Sequence, residues 1–367
     1  MEGLKITALQ VKNFRNLQEE IIRFGPSINC IVGENGNGKT NILEAIYFIS
    51  TKKSFRKKTA FPQILSIDGE KPEIIISSTF LDKNFVSISL SAKVELKNLN
   101  WFINGRSSKK NLPFKVVFIN PFDSYTFHQE AKARRHFFDY HIGLLNDSYR
   151  KTLARYNLAI RQRNTLLTQR PSRYLDQIAA LDEQLCVYIF ELTEARISFI
   201  KDIAPFLNAN FQEVFSDEHT LKINLESKFI HRTPADILEI LRKRLPEDEK
   251  TGHCGLGSHR DDYLVFMDGL NTFEYSSLGQ QKMAYLSLLF AYIEYFRYKF
   301  NSYPVLLIDD VSGELDGLRW ERLVQYLKRR NFQVFITTAN ENFKLELEKI
   351  EGTTRIKVVS GFMINEK

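Results

Sequence analysis

The sequence predicts an α/β fold, a mixed β-sheet with helices, into which an α-helical lobe is inserted. Three stretches predict it. Near the start, an apolar run from Ser27 to Val32 feeds a glycine-rich octet, Gly33 to Thr40, and a helical pattern follows at once. Far downstream a second apolar run, Val305 to Ile308, closes on Asp309 and Asp310. Between them strand signals stop at about residue 120 and heptad-spaced apolar positions take over. The head is accordingly expected at 1–120 and 250–367, with the helical lobe at 121–249.

At 367 residues the chain can bury a substantial core, in one large domain or two. A hydrophobic fraction of 43% with 26% charged residues is globular, not disordered. The net charge of +7 points weakly to an anionic partner, and position along the chain must say where it is met. Cys30, Cys186 and Cys254 stand far apart without a C-x-x-C, which argues against a disulfide framework or zinc knuckle and fits a reducing cytosol. The opening residues carry no basic-then-apolar signal. The most apolar helical stretch, Met283 to Phe296, is interrupted by Glu294 and reads as a buried helix, not a membrane span. A cytoplasmic protein, away from membranes, is the expectation.

Taken in order, residues 4 to 24 alternate like a strand pair around Asn13-Phe14-Arg15-Asn16. Arg15, just ahead of the glycine loop, is either a contact to phosphate or base or a solvated turn residue; spacing leaves both open. Gly33-Glu34-Asn35-Gly36-Asn37-Gly38-Lys39-Thr40 spells G-x-x-x-x-G-K-T between strand and helix, the context a phosphate-binding loop requires. Its glycines let backbone N–H groups face the phosphates, and the helix N-terminus adds partial positive charge. Lys39 is expected to reach the β- and γ-phosphates, and the Thr40 hydroxyl to ligate Mg²⁺. After Asn41, the residues Ile42, Leu43, Ala45, Ile46 and Ile49 form one apolar helix face.

Next comes Lys52-Lys53-Ser54-Phe55-Arg56-Lys57-Lys58. Five basic residues around one aromatic read as a nucleic-acid backbone contact with a base-stacking ring, or as a solvated loop. Residues 74–118 are β-rich, with a turn at Asn104-Gly105. The lobe then shows Tyr149, Leu153, Tyr156, Ile160 and Leu167 at heptad spacing, broken at Arg163. Beyond Pro171 runs a second seam: Tyr174, Ile178, Leu181, Leu185, Tyr188, Leu192, Ala195 and Phe199. Together they predict a short antiparallel coiled-coil hairpin whose second helix has about 25 residues and spans nearly 40 Å.

Between Thr251 and Asp262, the residues His253, Cys254, His259, Asp261 and Asp262 suggest a metal. No second ligand group stands at a recognised spacing, so a loop ordered around the nucleotide is expected instead. Ser277-Leu278-Gly279-Gln280 opens a long helix, and the strand ending at Asp309 follows it. Asp309 is expected to hold the Mg²⁺ shell and Asp310 to orient the attacking water. Gly313-Glu314-Leu315-Asp316 and a buried strand ending at Thr337-Thr338 come last.

This order of motifs resembles the ABC ATPases. The resemblance implies an ABC-type head in which Ser277, Gly279 and Gln280 aim a helix N-terminus at the γ-phosphate held by a partner subunit. Over essentially its full length the chain further resembles the RecF family of bacterial recombination mediators. The carrying residues are Asn13-Phe14-Arg15-Asn16, the P-loop through Asn41 to Ile46, and Lys53-Ser54-Phe55-Arg56. Further support lies in Asn120-Pro121-Phe122-Asp123, Arg134-Arg135, His259-Arg260-Asp261-Asp262, Leu278-Gly279-Gln280-Gln281 and Asp309-Asp310-Val311. Ser258, Gly313, Trp320 and the run Gln129 to Lys132 depart from the family pattern.

What the resemblance implies is an ATP- and Mg²⁺-dependent homodimer that binds DNA where single and double strands meet. It implies work with RecO and RecR to load RecA in replication, gap repair and the SOS response, with slow ATP hydrolysis as the release step. The DNA contacts would then include Lys52, Lys53, Arg56, Lys57 and Lys58. An ABC transporter subunit would carry a histidine where Thr337-Thr338 stand, and would lack the heptad insert. An OLD-type nuclease would need an acidic metal cluster in a further domain after Asp310, and the 57 residues that follow are too few for one. The alternative kept is an SMC-like ATP-gated DNA tether, whose coiled coil would be far longer than this hairpin.

Overall fold

A computed structural model describes residues 3–56, 61–66, 72–96, 98–108, 114–120, 123–215, 219–310 and 317–366, with backbone alone at 61, 62, 341–343 and 348. The chain forms two units. The first is Met1–Pro121 with Glu213–Ser216 and Ile293–Lys367; the second is Phe122–Gln212 with Asp217–Tyr292. Residues 250–292, expected in the head, group instead with the helical unit. A strand at Asp262–Met267 pairs there with one at Leu221–Glu226, and buried arginines of the hairpin hold the segment ahead of it.

The head unit contains two six-stranded sheets. The first is antiparallel and takes β1 (Lys5–Lys12), β2 (Ile21–Arg23), β4 (Glu73–Leu81), β5 (Ser87–Glu95), β6 (Leu99–Ile103) and β7 (Arg106–Ser107). Along β4 burial alternates, with Ile74, Ile76 and Phe80 inside, as a sheet with one solvated face requires. The second sheet has the order β15-β14-β3-β13-β12-β8. Its strands are β3 (Ile28–Val32), β8 (Val116–Ile119), β12 (Val305–Asp309), β13 (Val334–Thr338), β14 (Thr354–Val359) and β15 (Phe362–Glu366).

All pairings in the second sheet are parallel except β14 with β15. Every residue of β3 is buried, the mark of a parallel strand covered on both faces. α1 (Lys39–Thr51) follows β3 and buries the expected Ile42, Leu43, Ala45, Ile46 and Ile49. The short α2 (Phe61–Ile64) lies between α1 and β4. α10 (Gly317–Lys328) and α11 (Glu341–Glu348), each preceding a parallel strand, belong to this unit as well. Register decides the site: Asp309 is level with Thr337, and Thr338 with Val32, so three strand ends meet at one edge.

The helical unit opens with α3 (Asp123–Gln129), α4 (Ala131–Leu145), α5 (Asp147–Gln169) and α6 (Tyr174–Val214). After β9 (Leu221–Glu226) come α7 (Pro234–Thr251), β10 (Asp262–Met267), β11 (Leu270–Asn271), α8 (Thr272–Tyr275) and α9 (Leu278–Phe300), which runs on into the head. α5 and α6 form the helical hairpin, but α6 has 41 residues and is about 60 Å long. Its buried face continues beyond Phe199 through Ile203, Leu207 and Phe211, past Pro205.

The seam also differs from the expected one. On α6 the buried positions up to Phe199 are Ile178, Asp182, Leu185, Cys186, Ile189, Leu192, Thr193, Arg196 and Phe199; on α5 they are Tyr149, Thr152, Tyr156, Ala159, Arg163 and Leu167. Seven of the thirteen expected positions are buried, five others are one residue off, and Tyr174 is only partly buried. Asp182, Arg163 and Arg196 are seam residues, and an apolar pattern passes over charged ones.

Candidate nucleotide site

The glycine loop is built by close approach. Gly38 caps α1 at φ 107°, and a Cβ there would stand 2.7 Å from Asn16 Oδ1. Asn16 Nδ2 donates to the Gly36 carbonyl at 3.0 Å, and Asn41 Nδ2 donates to Asn16 Oδ1 at 2.7 Å. From the other side, the turn between β14 and β15 braces the loop. Asn37 Nδ2 donates to the Val358 carbonyl at 3.1 Å, and the Gly361 amide donates to the Asn37 carbonyl at 3.1 Å. Gly361 approaches so closely that a Cβ would lie 1.8 Å from the Asn16 carbonyl oxygen, so no other residue fits.

Within this frame Lys39 Nζ donates to the Gly33 and Glu34 carbonyls at 2.7 and 3.0 Å. Burial pushes its pKa down, against the pull of Asp310 and Asp309. Thr40 Oγ1 donates to both carboxylate oxygens of Asp309, at 3.0 and 3.1 Å. Thr337 Oγ1 donates to Asp309 Oδ1 at 2.6 Å, and the Asp310 amide donates back to Thr337 Oγ1 at 3.0 Å. Burial raises the Asp309 pKa, and the two hydroxyls only partly oppose it. Asp310 has φ 44°, a left-handed conformation that a side chain rarely adopts. The expected Lys39, Thr40, Asp309 and Asp310 therefore come together; the roles of Asn16, Thr337 and Gly361 were not legible.

Arg15 is not the solvated turn residue that was one of its two expected places. Its guanidinium forks onto Glu44, with Nε at 3.0 Å and Nη2 at 2.7 Å, and also reaches the Gln63 carbonyl. Glu44 is fully buried on α1 and receives Arg56 at 3.3 Å and the Ser54 hydroxyl too. Arg56 also donates to Asn41 Oδ1 at 2.6 Å. Lys52 caps α1 and lies 5.0 Å from the Trp101 ring centroid. Phe55, expected to stack on a base, stacks on Phe118 with centroids 3.8 Å apart. Lys53 is exposed. Lys57, Lys58 and the segment Gly313–Asp316 lie outside the described residues.

In the helical unit Ser277 and Gln280 cap α9 reciprocally. The Ser277 amide donates to Gln280 Oε1 at 2.9 Å, and the Gln280 amide to Ser277 Oγ at 3.3 Å. Ser277, Leu278 and Gly279 are exposed, while Gln281 is buried and ties down the preceding turn through the Thr272 carbonyl at 3.0 Å. The Thr251–Asp262 segment, expected around the nucleotide, is ordered by the hairpin's own side chains. Arg163 reaches Cys254 Sγ at 3.2 Å, Arg196 reaches Asp261, and the Tyr156 hydroxyl is bonded to His259 Nδ1 at 2.6 Å. Among the described residues no group of three or more His, Cys, Asp or Glu is placed to hold a metal.

With this geometry in view, comparison with known proteins is direct. Residues 5–360 match the family model of the RecF/RecN/SMC N-terminal domain. The DNA replication and repair protein RecF of Streptococcus suis is 32% identical over 368 residues, covering 98% of each chain. The chain belongs to the RecF family. A second relative, RecF of Streptococcus equi subsp. zooepidemicus, is 29% identical over 94% of each chain.

Solved structures of the recombination mediator protein RecF in the RecFOR pathway, as RecF-ATPrS and RecF-ATP, superpose with TM-scores of 0.86 and 0.85 at 25% identity. They cover 100% of this chain and 99% and 100% of theirs. An Smc head domain from Pyrococcus furiosus shares the fold at TM-score 0.58 and 15% identity, over 99% of this chain and 96% of that one. The RecF-family fold is thus an α/β ABC-type ATPase head with an added helical lobe.

Proposed function

We propose that this RecF-family chain is an ATP-dependent DNA-binding recombination mediator, with ATP and Mg²⁺ as its cofactors. The observation that carries the reading is the pairing of Thr40 with Asp309 at 3.0 Å beside Lys39. A hydroxyl and a carboxylate side by side are hard oxygen donors of the kind Mg²⁺ takes. A carboxylate whose charge burial disfavours gains from a divalent cation, so the residues present fit the ion. Bound there, Mg²⁺ would neutralise phosphate charge. Lys39 would turn from the loop carbonyls to the β- and γ-phosphates. Asp310 would orient the attacking water.

The finer parts of the reading are dimerisation on ATP through the exposed Ser277 motif, binding at junctions of single- and double-stranded DNA, and a weak DNA-stimulated ATPase. With them go work alongside RecO and RecR, which the RecFOR pathway of the similar solved structures supports, and the loading of RecA. The test mixes two variants. Ser277→Arg is expected to bind ATP yet not self-associate, and Lys39→Ala to fail at binding. Differently tagged chains of the two, mixed, should cross-link only with ATP, because one composite site stays intact. Dimerisation of Ser277→Arg on ATP at the wild-type level would remove the shared-site mechanism.

A further inference from the structure

We infer that Thr337 is a positioning residue of the site: it holds Asp309 ready for the metal and fixes the backbone of Asp310. The inference rests on the Mg²⁺–ATP reading proposed above. A threonine hydroxyl has one proton and two lone pairs. The proton goes to Asp309 Oδ1 at 2.6 Å, and a lone pair receives the Asp310 amide at 3.0 Å. One side chain on β13 therefore clamps two consecutive residues of the neighbouring strand. Asp309 and Thr337 are level in the parallel register, so the clamp spans the shortest path between the strands.

Two details separate this from ordinary strand packing. First, Asp309 has two hydroxyl donors of different standing. Thr40 sits on the loop side and is itself a candidate metal ligand, so its oxygen would be shared with the cation. Thr337 is fully buried in the sheet between β12 and β3, and its bond can persist. Second, the Asp310 backbone is held at φ 44°, a conformation that costs a non-glycine residue free energy. The hydrogen bond that the Asp310 amide donates to Thr337 Oγ1 is a contact that opposes relaxation toward extended strand geometry. A valine would fill the same space on a β-strand and provide neither bond.

The experiment measures ATP affinity by calorimetry, in Mg²⁺ and in EDTA, for wild type, Thr337→Val and Thr337→Ser. Thr337→Val should lose roughly 10- to 100-fold of the Mg²⁺-dependent gain in affinity, the usual effect of removing an outer-shell partner of a metal ligand. Its affinity in EDTA should match wild type, and Thr337→Ser should restore the gain. A full Mg²⁺-dependent gain in Thr337→Val overturns the inference, as does an equal loss in EDTA, which would mean the hydroxyl supports the loop instead. Should Thr337→Val not fold, Thr337→Ala is read by the same criteria. A wild-type chain without any Mg²⁺-dependent gain overturns the nucleotide reading itself, which keeps the two failures apart.

Discussion

In the helical unit two arginines lie inside and the acids come to them; in the head an acid lies inside and the arginines come to it. Arg163 is 1% exposed and meets Asp182 at 2.7 Å and Asp248 at 2.6 Å. Arg196, also 1% exposed, meets Asp139 and Asp261 at 2.8 and 2.6 Å and the Ser258 carbonyl at 2.9 Å. Such clusters are closed, because every buried charge faces an opposite one. In the head, Glu44 gathers Arg15 and Arg56 in the same closed way, but Asp309 does not fit that pattern. Among the described residues its hydrogen bonds come from hydroxyls, and no salt bridge reaches it. Buried charge alone therefore does not mark a site. A partly buried carboxylate whose hydrogen bonds come from neutral donors is the better mark, because a cation can still reach it.

The comparison predicts that damage to the two units separates cleanly. The largest effect should follow Arg163→Met, which strands Asp182 and Asp248 without their cation. A loss of about 3–5 kcal/mol is expected by chemical denaturation, with ATP affinity of the folded fraction unchanged. If affinity falls in step, the units are not separable in this way. Lys39→Ala should do the reverse. ATP affinity should drop at least about 100-fold, near 3 kcal/mol, while thermal stability holds or rises. Burial already opposes the charge on Lys39, so removing it relieves the fold.

Acid should reach the helical unit first. Burial pushes His128 and His141, normally near 6.5, down to about 4 in the folded chain. Between those values the unfolded chain binds protons that the folded one refuses. Their stabilisation is thus complete above about pH 6.5 and is lost as pH falls toward 4. Denaturation at pH 7 and pH 5 should differ by roughly 2 kcal/mol for each histidine, and His141→Phe should shrink the difference. The smallest effect concerns the basic segment. Lys52 and Arg56 are engaged within the fold, whereas Lys53 is exposed. Lys53→Ala should therefore reduce the slope of log DNA affinity against log salt by about 0.9, if one duplex phosphate is contacted. An unchanged slope would leave Lys53 as a solvated side chain.

What the sequence made legible was local or strongly periodic. The β3–loop–α1 unit could be read because its glycines, lysine and flanking apolar runs are contiguous. Asp309 could be read because four apolar residues close on it. Asn16, Thr337 and Gly361 could not, because each acts on a partner distant in the chain, and a polar residue near a strand end has many ordinary explanations. The hairpin seam was half legible for the opposite reason. Its period was clear, but apolar spacing skips Asp182 and Arg196, which occupy core positions as ion-pair partners. Arg163 looked like an interruption and is one of the residues that order the Thr251–Asp262 segment.

The place of β3 has a consequence for how the protein is made. Its sheet neighbours are β13 and β14, and the turn that braces the glycine loop holds Gly361. The strand and loop leave the ribosome about 300 residues before either neighbour does, which at ordinary synthesis rates is on the order of 15 to 60 s. Throughout that interval Ile28 to Val32 has apolar faces to bury and no strand beside it. The phosphate loop lacks its rear wall for as long. A nascent chain of this family should thus be unable to retain nucleotide until translation is nearly finished, and β3 should be a binding point for chaperones.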